Sequence, residues 1–163
     1  IASELDKLAI WIGPEAGNGT PVDAATIRGL VAGTGLLSGW ELADALTERD
    51  AAKAIAAARR LLDAGEEPIR ILGGLASRAR SLLRAKAMTE AGASPKTVLD
   101  GARAWYFREA LEKGLKRYTM DELLAMPGRL LETDRGFKSR ALDKGAVLEA
   151  LVSGLTTPSP EGR

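Results

Sequence analysis

Residues 51–86 read AAKAIAAARRLLDAGEEPIRILGGLASRARSLLRAK, two helical patterns around the joint Gly65-Glu66-Glu67-Pro68. Before the joint, Ala54, Ile55, Ala58, Leu61 and Leu62 recur at helical spacing, which predicts a helix over residues 50–64. After it, at roughly 100° per residue, Ile71, Leu72, Leu75, Ala79, Leu82 and Leu83 share one side of a long helix. Arg70, Ser77, Arg78, Ser81 and Arg84 are expected on the other, wet side. Gly65 suits the left-handed position after a helix end, Glu66 and Glu67 favour the positive start of the next helix, and Pro68 loses no needed donor in a first turn. The stretch is a helical corner, and its residue types offer no covalent chemistry.

The rest of the chain continues in helical periods. Ile1, Leu5, Leu8 and Ile12 form an apolar stripe that runs straight into the first residue without a cap, so the sequence is expected to be cut from a longer chain. Residues 13–21, GPEAGNGTP, form a loop, followed by a short helix over 22–31 carrying Ile27, Leu30 and Val31. Gly33-Thr34-Gly35 is the expected domain boundary, and Ser38 with Glu41 has capping-box spacing for a helix reaching Leu46. Gly92 ends the long helix, and Ser94-Pro95 restarts a short one. Ala104, Phe107, Leu111, Gly114 and Tyr118 predict another, and Thr119 with Glu122 gives a second capping box.

The pattern then runs through Leu123, Leu124, Leu130 and Leu131, with a kink or break expected at Met126-Pro127-Gly128. A last helix uses Val147, Leu148, Leu151 and Val152, and residues 156–163 are expected to be a disordered tail. There is no strand alternation, so the fold class is all-α.

Composition sets limits that agree. The 163 residues suit one domain, or a domain and a fragment, and 45% hydrophobic with only 4% aromatic residues predicts a core of leucine, isoleucine, valine and alanine. A net charge of +1 gives no general drive toward nucleic acid or anionic membrane. The absence of cysteine and histidine excludes disulfides and thiolate or imidazole metal sites and is compatible with a reducing cytoplasm. No apolar run approaches the ~20 residues of a membrane span. A cytoplasmic location with no membrane association is the expectation.

Chemical motifs are scarce. Gly136-Phe137-Lys138-Ser139 ends like a phosphate-binding loop, but such a loop needs adjacent Gly-Lys and an earlier glycine, so Lys138 is expected to pair with Asp134 at i,i+4. Glu66/Glu67 and Asp121/Glu122 sit at helix starts, where the macrodipole explains them without acid–base work. Trp11, Trp40 and Trp105 are separate in sequence and suit the core or a contact between subunits better than base stacking. Arg70, Arg78, Arg80 and Arg84 remain open between phosphate contact and a solvated or salt-bridged face. The catalytic, cofactor and metal expectation is none.

The order of these pieces resembles the C-terminal half of the delta subunit of the bacterial DNA polymerase III clamp loader. The residues that carry the resemblance are Glu4-Leu5-Asp6-Lys7-Leu8-Ala9, similar to the family's last lid helix, Leu42-Ala43-Asp44-Ala45-Leu46, similar to the helix opening its third domain, the corner at Gly65–Pro68, and Asp134 with Lys138. The resemblance implies residues 1–35 as the end of a lid domain and 36–155 as a helical collar. The collar would join a hetero-pentamer of clamp-loader subunits. A sliding clamp would bind an absent N-terminal α/β domain, and DNA would be met only within the assembly. It implies a non-catalytic part of a polymerase holoenzyme, with ATP hydrolysis left to other subunits. Trp105, Tyr106 and Phe107 are the candidate anchors of the subunit interface. Alternatives are the corresponding domain of another AAA+ clamp-loader subunit, a free-standing helical nucleic-acid-binding module, or a carboxylate-only enzyme.

Overall fold

The long helix at the centre of the quoted stretch organises the molecule. In the computed structural model, residues 36–138 and 143–158 are described, with side chains from residue 39 onward. The expectations for residues 1–35, Trp11 among them, and for residues 159–163 lie outside the described residues. By its contacts the chain divides into Ile1–Leu37 and Ser38–Arg163, and the description that follows concerns the second unit.

Its helices are α1 (Leu36–Glu48), α2 (Ala51–Asp63), α3 (Pro68–Glu90), α4 (Pro95–Ala102), a 3-10 turn at Trp105–Phe107, α5 (Arg108–Arg117), α6 (Met120–Phe137) and α7 (Lys144–Thr156). No strand occurs among the described residues, and the all-α expectation holds. The 23-residue α3 packs against α2, α4, α5, α6 and α7, while α2 also packs against α7. Early and late helices of the unit are thus drawn to the same central rod. Leucine and alanine dominate the core, joined by Ile71, Val98, Val152, Met126 and the rings of Phe107, Tyr118 and Phe137. Short side chains let helices approach closely: Gly114 of α5 lies against the carbonyl of Thr47, where a Cβ has no room.

Local signals place most boundaries. Gly65 and Gly92 both adopt φ +79°, the left-handed turn that leaves a helix. Ser94 accepts from the Thr97 amide, and Thr119 and Glu122 form a reciprocal capping box. Asp50 caps α2 by accepting from the Lys53 amide, and that hydrogen bond, ahead of nearby charges, holds its carboxyl below the usual range.

Four expectations are corrected. The helix expected to open at Ser38 already begins at Leu36, and Glu41 pairs with Arg60 at 2.6 Å. The helix expected through Ala104, Phe107 and Leu111 is split into the 3-10 turn and α5, after Arg103 turns left-handed at φ 52°. Helix α6 runs unbroken through Pro127. Proline costs ~3 kcal/mol inside a helix, whereas burying each of Leu123, Met126 and Leu130 returns about 1.5–3 kcal/mol. Pro127 and Gly128 face outward, so the ring does not intrude on the buried stripe. Thr156, expected to open a disordered tail, is the buried last residue of α7, with its hydroxyl donating to the Val152 carbonyl at 2.8 Å.

Candidate interaction surface

Two arginines whose structural roles the sequence did not announce shape the bundle. Arg49, between α1 and α2, has φ 57°, an uncommon value for a residue with a side chain. Its guanidinium pairs with Glu122 at the start of α6, one of the bonds at 2.9 Å, and donates to the carbonyls of Arg117, Thr156 and Thr157. It also covers the Tyr118 ring, 4.6 Å from the centroid. The Tyr118 hydroxyl is directed at the carbonyls of Leu46 at 2.8 Å and Leu155 at 3.2 Å. Burial pushes that phenol well above its ordinary range. Helix C-terminal carbonyls of α1, α5 and α7 therefore end on one guanidinium and one phenol, which supply donors that the helices themselves lack. A groove of about 400 Å³ opens beside them, lined in part by Asp121, Met126 and Arg129.

Arg78 overturns the expectation of a wet arginine face. It is 6% exposed, and its helical angle lies between those of Leu82 and Ala85, inside the apolar stripe; the spacing 71, 75, 78, 82, 85 was the available signal. The guanidinium stacks 3.6 Å from the centroid of Phe107 and stands 5.7 Å from that of Tyr106. One of its nitrogens approaches Asp44 Oδ1 of α1 to 3.0 Å. These two atoms are buried and lack an aligned hydrogen bond among the described residues. Burial raises the Asp44 carboxyl above the usual carboxylate range, with Arg78 opposing and Glu48 adding to the rise. Burial likewise lowers the Arg78 guanidinium. Desolvation outweighs attraction on both partners.

The other arginines of the predicted face are exposed but not alike. Arg70 pairs with Glu66 at 2.9 Å, and Arg84 donates to the Gly101 carbonyl at 3.2 Å. Arg80 points to solvent from the same helix. Among the three aromatic anchors, Phe107 is corrected to the core, 4% exposed beneath Arg78, because the 3-10 turn rotates it inward. Trp105 and Tyr106 are 53% and 74% exposed. Trp105 Nε1 donates to Asp100 Oδ1 at 2.8 Å, which fixes the indole at the surface, and Tyr106 meets Phe107 edge-on at 5.0 Å between centroids. Trp40, 55% exposed on α1, lies one helical turn before Asp44. Lys138 pairs with Asp134 at 2.9 Å, as the i,i+4 reading expects.

Among the described residues, no group of three or more acidic, histidine or cysteine side chains could hold a metal ion, and no helix is long and apolar enough to cross a membrane. The arrangement offers exposed rings on ordered backbone and capped helix ends, which suits recognition of another surface.

The fold is similar to that of the Bacillus subtilis DNA clamp loader delta protein, with a TM-score of 0.69 and 23% sequence identity. The match covers 94% of this chain and 44% of that one, so the chain spans less than half the length of that relative. Among curated proteins none matches the sequence. Residues 38–155 match the family described as DNA polymerase III delta subunit, C-terminal domain. That span runs from α1 to the last turn of α7 and takes in every helix and cap described above. The chain belongs to the family of C-terminal domains of DNA polymerase III delta subunits.

Proposed function

We propose that residues 36–155 are the collar through which a delta subunit is held beside the other subunits of a clamp loader, with residues 1–35 ending the preceding lid domain. The observation that carries this reading is the match of residues 38–155, a unit bounded by contacts at Leu37/Ser38, to the delta C-terminal family. The role is mechanical. The collar fixes the position of delta while the rest of that protein engages the sliding clamp for loading on primed DNA, and no reaction is assigned to these side chains. A polymerase label would describe the holoenzyme, and a cytoplasmic location follows from that role.

Trp105 and Tyr106 are the proposed interface anchors. Large rings held on an ordered turn give up little conformational freedom when a partner covers them. The test uses full-length delta with Trp105→Ala or Tyr106→Ala, mixed with the other loader subunits of the same organism. Assembly is read by sedimentation and folding by thermal melting. Each variant is expected to weaken assembly by about tenfold or more, the mark of a hot spot, with a smaller change in Tm. A Tm loss with assembly intact would return Trp105 to a purely structural role.

The exposed Arg70, Arg80 and Arg84 carry the second reading, local phosphate contact within the assembly. Affinity of full-length delta for duplex DNA that is flat across a salt titration would remove it.

A further inference from the structure

Helix α6 turns Leu123, Met126, Leu130 and Phe137 into the bundle, yet its opposite side is not simply polar. Leu124 and Leu131 are 58% and 50% exposed there, and Gly128 between them is exposed as well. The outward positions 121, 124, 128, 131, 135 and 138 follow steps of three and four, the spacing that keeps one seam of a helix against a partner helix. Lys138, the cap of α6, keeps helical backbone angles, so the seam reaches it. Along the seam an acid, Asp121, is followed by the leucines and the glycine and then by two bases, Arg135 and Lys138. A Cβ at Gly128 would meet nothing within 4 Å, and the residue is not among the glycines of positive φ. The fold of one copy therefore gives no reason for a glycine in mid-helix, where alanine is more favourable. Its effect is a notch between two exposed leucines.

The seam is complementary to itself when a second copy is laid antiparallel across it. With the crossing between residues 129 and 130, Leu131 of each copy meets the notch at Gly128 of the other. The aliphatic stem of Arg135 lies over Leu124 of the second copy. Asp121 stands level with Lys138 of the second copy, and the two-fold axis makes that opposite-charge contact twice. Within one copy Lys138 is held by the i,i+4 pair with Asp134 and its side chain is 74% exposed, so it keeps donors for a further acceptor. A parallel alignment would set Asp121 against Asp121 and Lys138 against Lys138, like charge on like. Nucleic acid or an anionic membrane would meet the exposed acids Asp121 and Glu132 on this side of the helix.

We infer that α6 binds α6 of a second copy of this chain, antiparallel, through Leu124, Gly128 and Leu131, with Asp121 and Lys138 pairing across the two-fold axis. A single helix pair is smaller than the interface of a permanent dimer, so the contact belongs to the weak, concentration-dependent class. It uses none of the residues proposed as collar anchors and stands independently of that reading.

Sedimentation equilibrium of the full-length protein over a range of concentration reads self-association, and thermal melting reads folding. The unaltered protein is expected to form dimers at concentrations up to about 100 μM. Leu131→Glu and, separately, Asp121→Lys are expected to weaken dimerisation by about tenfold or more, with little change in Tm because both side chains are exposed. Combining Asp121→Lys with Lys138→Asp exchanges the charges and is expected to restore dimerisation, the signature of an antiparallel contact between copies. A protein that stays monomeric throughout that range, or a charge exchange no tighter than Asp121→Lys alone, would overturn the inference. So would a monomeric protein in which Leu131→Glu abolishes assembly with the other loader subunits, which would give this face to one of them.

Discussion

Arg49 and Arg78 are both largely buried, both lie over an aromatic ring and both face one carboxylate, yet their surroundings differ in kind. Around Arg49 the guanidinium meets Glu122 and three backbone carbonyls, so its donors are spent on acceptors that would otherwise be orphaned at helix ends. Around Arg78 the neighbours are rings and one imperfectly aligned carboxylate oxygen. A buried charge stabilises a fold through the hydrogen bonds that complete it, and costs free energy where they are missing. The first corner is built for stability. The second lies beside the exposed Tyr106 ring and over Phe107, with no backbone acceptor to complete it among the described contacts.

One substitution made at both positions breaks or sharpens this contrast. Arg49→Met should destabilise the domain by about 3 kcal/mol or more, because it removes the guanidinium that pairs with Glu122 and donates to several carbonyls. Denaturant unfolding at neutral pH measures it, and a loss under about 0.5 kcal/mol, the size of an ordinary surface change, would refute the assigned role. Next in size, Tyr118→Phe should cost about 1–2 kcal/mol by stripping a buried donor from the carbonyls of Leu46 and Leu155. Combined with Arg49→Met its effect should not be additive, since both serve the same corner.

Arg78→Met combined with Asp44→Leu should change stability by less than about 1 kcal/mol, or raise it, since apolar side chains then fill the same space with neither desolvated charge left behind. A loss as large as that of Arg49→Met would erase the distinction between the two corners.

The smallest expected effect is a pH dependence at Asp44. Its carboxyl is raised above 3.8, first by burial, so the folded state binds this proton more tightly than the unfolded chain. The associated stability is fully present below 3.8 and is lost as pH rises through the raised folded value. Asp50, lowered chiefly by the Lys53 amide, has the opposite sign: its contribution is present above 3.8 and lost as pH falls through its depressed value. Plots of stability against pH across the acid range should therefore change slope in opposite directions for Asp44→Asn and Asp50→Asn, and a common direction would contradict the two environments.

Much of this was legible in the chain, and the reason is locality. Gly65, Gly92, Ser94 with Pro95, and Thr119 with Glu122 act on backbone within a turn, so their residue types announced the helix ends where they stand. The buried stripe of α3 through Ile71, Leu75 and Leu82 was likewise written in its spacing. Pro127 misled because a local penalty was outweighed by burial that only neighbouring helices provide. Ser38 misled because its capping spacing lies inside a helix that began earlier.

The interaction surface was legible only in part. Trp105 and Tyr106 drew notice as aromatics, but Phe107 beside them faces inward, and only the 3-10 turn separates one orientation from the other. Arg78 shares its stripe with leucines, which the period reveals, whereas its partner Asp44 lies on another helix at no fixed spacing. Nothing near Arg49 in sequence points to Glu122 or to the end of α7. The sequence by itself determined the helices, their caps and the apolar faces, because those depend on residues a few positions apart. Only the tertiary structure decided which arginine is clasped by hydrogen bonds, which is stranded among rings, and which aromatics remain exposed, because those outcomes depend on groups brought together across the whole bundle.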